Sequence, residues 1–295
     1  MGNPTVYYRP KTVEEAVRLL TQPYITAVLL SGGALRLAAT DDPAYEAVVD
    51  LQAVEGLTDI AVLDDGVMRL GASATFEAIA RHPATPALLR EAMTRSLTWN
   101  RRNAITPGEA VEYPGEVAEV IAALLALDAT VIFALPEERR VPLAEMDMLL
   151  TQPRLPQKGL ITAVEIALPH GREGWGAAYV ARTPADEAIV YAAAVLDTDE
   201  DGTITAARLA LAGAWEEPAR LAAKTANALV GGVLDEMRIA ETLRVLAAEV
   251  EPVADFRGSV EYRREMAVTM TRRVLRQCRE RLSLMSGREK EREGE

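Results

Sequence analysis

The 295-residue sequence predicts an α+β protein built as a two-part N-terminal domain followed by a C-terminal domain. Three observations predict it. Short apolar β-like runs alternate with helical patterns over the first part of the chain. From Gly174 the pattern changes to three longer β-like runs followed by helices. Nearly half of the residues (49%) are apolar, enough to fill the cores this requires.

The elements follow in order. Thr12-Val13-Glu14-Glu15 reads as a capping box, in which Thr12 bonds the backbone of Glu15 and the Glu15 side chain reaches back. Val13, Ala16, Val17, Leu19 and Leu20 give the helix that follows an apolar face. Strands are expected at 27–30, 47–51, 59–63 and 67–70, with Asp64-Asp65-Gly66 as the hairpin turn between the last two, because Gly tolerates positive φ. Helices are expected at 76–80, 86–97 and 116–127; the last carries Val117, Val120, Ile121, Leu124 and Leu125 on one face. Strands at 130–133 and 161–168 close this second α+β part, and Pro153 and Pro156 make 150–159 a loop. The runs 177–181, 188–196 and 203–213 predict a three-stranded antiparallel sheet, with helices at 218–230, 235–250 and 259–284. The resulting divisions are 1–56, 57–172 and 173–285, with a charged tail, 286–295, expected to be disordered.

Composition narrows the function. The formal charge of −12 argues against nucleic acid or an anionic membrane surface as partner. A single cysteine, Cys278, excludes an internal disulfide, a Cys-ligated iron–sulfur cluster and a Cys-type zinc site. With two histidines, His82 and His170, neither a histidine-rich metal site nor a Ser/His/Asp set can be assembled. The chain opens without an apolar signal segment and has no apolar run of membrane-spanning length, so a cytoplasmic protein without membrane insertion is expected.

Several motifs read most simply as structure. Asp197 to Gly202 imitates the start of a calcium loop, but its twelfth position is Arg208 where a bidentate carboxylate is needed, so a solvated hairpin turn is expected. Asp64-Asp65 and Glu216-Glu217 are turn and cap residues. His82, before Pro83, stops a helix, and His170 belongs to a loop. Met266 and Met270, in helical register with Tyr262 and Val274, are core or interface packing. Ser31-Gly32-Gly33 differs: paired glycines after a strand let backbone N–H groups approach an anion, because no Cβ intervenes.

Taken together, these segments carry a family resemblance. Tyr8-Arg9-Pro10-Lys11-Thr12-Val13-Glu14-Glu15-Ala16, Ser31-Gly32-Gly33, Val49-Asp50-Leu51 with Val54-Glu55-Gly56-Leu57, and Gly71-Ala72-Ser73-Ala74-Thr75 occur in that order. So do residues 122–129 and 160–166, and Glu261-Tyr262-Arg263-Arg264-Glu265-Met266-Ala267 near the end. The chain thereby resembles the FAD-binding middle subunit of molybdenum hydroxylases, the group that includes the carbon monoxide dehydrogenase medium subunit and the flavin domain of xanthine dehydrogenase. The resemblance implies a two-part FAD-binding (PCMH-type) domain and a C-terminal flavoprotein-like domain. It implies FAD passing electrons between iron–sulfur clusters in a small subunit and an external acceptor. It also implies a large subunit carrying the molybdenum cofactor, and an assembly that can double into a dimer of heterotrimers.

Carried over residue by residue, the resemblance assigns Ser31, Gly32, Gly33, Ala34 and Leu35 to the first flavin loop and Arg102, Asn103, Thr106 and Gly108 to the second. Thr75, Glu119, Arg182 and Asp186 match further cofactor-side positions, and Glu187 replaces a usual tyrosine. The departures cluster. Ala34 and Leu35 replace polar residues. In the second loop Ile105 and Glu109 stand for glycines, Pro107 for isoleucine and Ala110 for asparagine. Added Cβ atoms obstruct close backbone approach, Pro107 removes an amide donor, and Glu109 brings negative charge toward a pyrophosphate. The expectation is a middle subunit with an eroded FAD site and a structural or assembly role, and no metal in this chain. The alternative is a working FAD subunit.

Overall fold

In a computed structural model the chain is described over residues 5–21, 27–33, 35, 46–134, 138–146, 160–169, 171–184 and 186–293, with side chains described to 285. Ala34, His170 and the loop expected at 150–159 lie outside these residues. The elements run β1 (Val6–Tyr8), α1 (Val13–Leu20), β2 (Ala27–Leu30), β3 (Ala47–Asp50), β4 (Ile60–Val62), β5 (Val67–Gly71), α2 (Phe76–Arg81), α3 (Ala87–Ser96), α4 (Trp99–Ala104), α5 (Pro107–Glu112) and α6 (Ala118–Ala126). They continue β6 (Thr130–Ala134), β7 (Glu138–Pro142), β8 (Leu160–Ala167), β9 (Glu173–Val180), β10 (Val190–Thr198), β11 (Ile204–Ala212), β12 (Ala219–Leu221), α7 (Ala223–Leu229), α8 (Glu236–Glu249) and α9 (Val260–Glu293). Two compact units result: 1–85, 97–117 and 129–168 form one, and 86–96, 118–128 and 169–295 the other.

The first unit holds two sheets. A small parallel sheet has the order β1-β3-β2, with Tyr8 opposite Val49 and Leu29 opposite the same residue from the other side. Helix α1 packs its Ala16 into a core of Val49, Leu51, Val54, Leu57 and Leu160. Its capping box forms as the sequence predicts: the Glu15 amide donates to Thr12 Oγ1 at 3.2 Å, and Glu15 Oε2 accepts from the Lys11 amide, one residue before the cap. The second sheet is antiparallel, β4-β5-β8-β6-β7. Gly66 makes the expected β4–β5 turn at φ +77°. The Glu165 carboxylate, buried on β8, is neutralised by Arg69 at 2.7 Å and by Arg140. Two short helices, α4 and α5, occupy the stretch 99–112, where a loop was expected.

The second unit is built on a four-stranded antiparallel sheet, β12-β11-β10-β9, rather than the three strands expected. The fourth strand is the three-residue β12, which pairs Leu221 with Ala210 and Ala219 with Ala212. Pro218 followed by Ala-Arg-Leu-Ala-Ala reads locally as a helix start, but the open edge of β11 captures it and the helix begins only at Ala223. Helix α9 lies against β9, and the two strand glycines permit the approach. A Cβ on Gly174 or Gly176 would stand 2.7 and 2.6 Å from the Cys278 and Val274 carbonyls. Met270 and Val274 join the core beneath and Met266 packs against it, as their helical spacing predicts, together with Cys278, while Tyr262 of the same register is exposed. The α9 backbone is helical to Glu293, across most of the tail expected to be disordered. Helix α6 is buried on every side, Glu119 included, which exceeds the one-sided face read from its sequence.

Candidate functional site

The chain leaves β2 at Ser31 and turns at Gly33, whose φ of +83° lies in the region glycine favours. Hydroxyls pin this turn from beneath. Ser31 Oγ lies 2.8 Å from Ser73 Oγ and donates to the Ala72 carbonyl at 3.3 Å, and Thr106 Oγ1 donates to Ser31 at 3.2 Å. Gly32 packs so closely on the second segment that a Cβ there would lie 1.7 Å from the Ala104 carbonyl oxygen.

That second segment, 99–112, is ordered by its own caps. Thr98 caps α4, Thr106 caps α5, and Pro107 occupies the first turn of α5, where its missing N–H costs nothing. Ile105, wholly buried between the two helices, accepts the Phe76 amide on its carbonyl at 3.0 Å. The Gly108 amide is used by the Ala72 carbonyl, also at 3.0 Å. Glu109, on the first turn of α5, is 4% exposed and points at the glycine turn. The Gly33 amide donates to its Oε1 at 2.6 Å. The space bordered by Leu29, Ser31, Leu51, Gly108, Glu109 and Glu112 amounts to about 20 Å³, room for one water molecule. Ser31, Gly32, Gly33, Thr106 and Gly108 are therefore assembled in one place, with Leu35 buried nearby in the chain.

Other expected residues of this unit serve the helices α2 and α4. Thr75 caps α2, accepting the Ala78 amide at 3.2 Å. Arg102 donates to Glu77 Oε2 and to the Leu97 carbonyl, each at 2.7 Å, and the Asn103 amide nitrogen donates to the Trp99 carbonyl. Glu77 is also paired with Arg81, and the bonds from Arg102 and Arg81 hold its carboxyl below the usual range.

Glu119, Arg182 and Asp186 belong to the second unit. Glu119 Oε1 accepts the Ala188 amide at 2.8 Å, and its Oε2 lies 3.4 Å from Arg95 Nε. Burial raises the Glu119 carboxyl against the opposing pull of that amide and of Arg95. Arg95 stacks 3.4 Å over the Tyr179 ring and donates to the Asp186 carbonyl. Arg182 and Asp186 pair at 3.6 Å, and Glu187 pairs with Arg257 at 3.1 Å. Glu77 and Arg95 lie outside the residues expected at the site. The Asp197–Gly202 segment is a hairpin turn in which Asp199 accepts the Asp201 and Thr203 amides. Among the described residues there is no cluster of metal-ligating side chains and no helix long and apolar enough to cross a membrane.

Comparison with known proteins covers nearly the whole chain. Residues 3–169 match the FAD binding domain in molybdopterin dehydrogenase, and residues 177–278 the CO dehydrogenase flavoprotein C-terminal domain. The 6-hydroxypseudooxynicotine dehydrogenase complex subunit alpha of Paenarthrobacter nicotinovorans is 29% identical over 91% of this chain and 92% of its own. The carbon monoxide dehydrogenase medium chain of Afipia carboxidovorans is 27% identical over 93% and 96%. Among solved structures, carbon monoxide dehydrogenase from Hydrogenophaga pseudoflava superposes with a TM-score of 0.84 at 25% identity, covering 95% of this chain and 99% of that one. Quinoline 2-oxidoreductase from Pseudomonas putida 86 gives 0.81 at 26%, covering 95% and 98%. With residues 3–169, more than half of the chain, matched to one domain of this family and residues 177–278 to another, the protein belongs to the family of FAD-binding-domain chains of the molybdopterin dehydrogenases.

Proposed function

We propose that this chain is the medium subunit of a molybdenum-hydroxylase-type oxidoreductase complex and that it acts there as a structural or assembly component without FAD. Its partners on this reading are a large subunit carrying the molybdenum cofactor and a small iron–sulfur subunit, in a cytoplasmic complex that can double into a dimer of heterotrimers. Relatives named as medium or alpha subunits of such enzymes, aligned over nearly their whole length, support the subunit role.

The observation that carries the flavin-free part is the bond from the Gly33 amide to Glu109. A pyrophosphate brought to this turn meets a buried carboxylate instead of a free donor. The lost donor is worth about 1.5–3 kcal/mol for a charge-assisted hydrogen bond, roughly ten- to 150-fold in affinity. The remaining donors do not compensate. Pro107 has no N–H, the Gly108 amide serves Ala72, and the Ala104 carbonyl closes the approach at Gly32. Ile105 and Ala110 are fully buried and carry no polar group. These residues do not fit a dinucleotide pyrophosphate, so no electron-transfer step is assigned to the chain.

Native co-purification from the source organism tests both parts. The expected result is a complex containing a large molybdenum subunit and a small cysteine-rich subunit, with no FAD released from this chain on denaturation. Stoichiometric FAD in the purified chain would favour the alternative, a working flavin subunit held by the backbone donors at Gly32, Gly33 and Gly108.

A further inference from the structure

We infer that Glu109 is a resident ligand of the Gly32–Gly33 turn, a specificity-determining carboxylate that takes the donor an external phosphate would take, so that its removal frees the Gly33 amide for a pyrophosphate-bearing ligand. This rests on the flavin-free reading above and adds which residue enforces it.

The geometry is that of a bound anion. A carboxylate oxygen sits 2.6 Å from a glycine amide, and both residues are buried. Gly33 adopts a left-handed φ of +83°, the conformation in which a turn directs its amide at an anion. Ser73 and Thr106 hold Ser31 from below, so the turn keeps its shape by contacts that do not involve Glu109. The carboxylate is equally fixed from its own side. The Glu109 amide donates to Thr106 at 3.4 Å, and the Tyr113 amide donates back to the Glu109 carbonyl at 2.8 Å, so α5 delivers the side chain from a set position. An external phosphate must displace a ligand tethered within a few ångströms, whose effective concentration far exceeds that of any solute. Ile105, Pro107 and Ala110 differ in this respect: they remove contacts or fill space, whereas Glu109 uses the donor itself.

Full-length Glu109→Gln and Glu109→Gly test the inference beside the wild-type chain, by calorimetric titration and thermal shift with FAD, ADP and inorganic pyrophosphate. Circular dichroism establishes that each is folded. Glu109→Gln keeps the shape and an acceptor oxygen and removes only the charge, which guards against a folding defect in the glycine variant. FAD is expected to bind the glycine variant at least tenfold more tightly than wild type, and up to about 150-fold, the worth of one charge-assisted hydrogen bond, with Glu109→Gln between. Equal gains with ADP and pyrophosphate support the inference and identify a diphosphate reader; a gain with FAD alone supports it and identifies the whole dinucleotide as ligand. Folded variants that bind no more tightly than a flavin-free wild type overturn the inference and leave the flavin-free reading intact. A wild type that carries FAD while Glu109→Gly gains tenfold overturns that reading and leaves the inference. FAD in the wild type with no gain overturns both.

Discussion

Replacement of Arg263 by Met removes a buried cation of the second unit. Arg263 lies in the Glu261–Ala267 segment of α9 and is 3% exposed. One guanidinium nitrogen donates to the Ile189 carbonyl at 2.6 Å and to the Gly213 carbonyl at 3.2 Å, tying the start of β10 to the end of β11. The other stands 2.6 Å from Asp255 Oδ1. Met fills similar volume but leaves two carbonyls without this donor and the carboxylate without its buried partner. Asp255 is exposed and keeps Arg257, so the cost lies mainly in the two carbonyls left without this donor, about 1–3 kcal/mol each, together a large fraction of a typical folding stability of about 5–15 kcal/mol. With a urea slope of about 2–3 kcal/mol/M, the unfolding midpoint falls by about 1–2 M, readable from the fluorescence of Trp175 and Trp215. The pH dependence gives a second readout. Burial pushes the Asp255 carboxyl up, but hydrogen bonds from Arg263 and Arg257 outweigh it and hold it well below the ordinary carboxylate range. A depressed carboxyl stabilises the fold above its unfolded pKa and loses that contribution as pH falls through the folded value. The gap between wild type and Arg263→Met is therefore full at neutral pH and narrows in strong acid. Arg263→Lys, which keeps the charge without the fork, falls between. A Met variant within about 0.5 kcal/mol of wild type, or a gap that does not change with pH, would refute this account.

Two further outcomes follow from buried groups. Arg95→Met removes the cation beside Glu119, whose carboxyl burial already raises, and so pushes that carboxyl higher; a raised carboxyl loses stability as pH rises through its folded value, so the variant should be less destabilised at pH 5 than at pH 8 by about 1.4 kcal/mol per added pKa unit, and equal losses at both pH values in thermal unfolding would count against the pairing. Burial pushes the Cys278 thiol up to about 12, so the folded chain should resist iodoacetamide at pH 8 and react promptly once unfolded in urea; rapid labelling of native protein would contradict a core position.

Where an element is specified by its own residues, the sequence is legible. Thr12 and Glu15 set the start of α1, Gly66 sets a hairpin, and the spacing of Met266, Met270 and Val274 puts them at one core. Legibility fails where pairing with another element decides. Strand β12 is three residues long and carries helix-forming neighbours; pairing with the free edge of β11, just before it in the chain, makes it a strand. Residues 86–96 and 118–128 are likewise parts of the second unit by packing alone, an arrangement that no set of cuts along the chain expresses. Helices α4 and α5 fall between these cases. Thr98 and Thr106 are recognisable caps, and Pro107 follows Thr106 as a first-turn proline should, but a frame of missing glycines makes the stretch read as a damaged loop.

The same contrast governs the candidate site. Read against a flavin-holding loop, Ile105, Pro107, Glu109 and Ala110 are four losses, each subtracting a donor or adding bulk. Read against the structure, three of them are gains. Ile105 fills the junction of α4 and α5, Pro107 starts α5, and Glu109 reaches the Gly33 amide. The sequence places an acidic residue at 109 but not the amide it meets. A negative charge beside an unused amide in a buried place does not stay unpaired, because an unmet donor and a desolvated carboxylate each cost more apart than together. Gly32 is required by the Ala104 carbonyl and Gly33 by its left-handed φ. The packing of the turn therefore accounts for both glycines by itself, and their retention does not separate a flavin-holding chain from a flavin-free one.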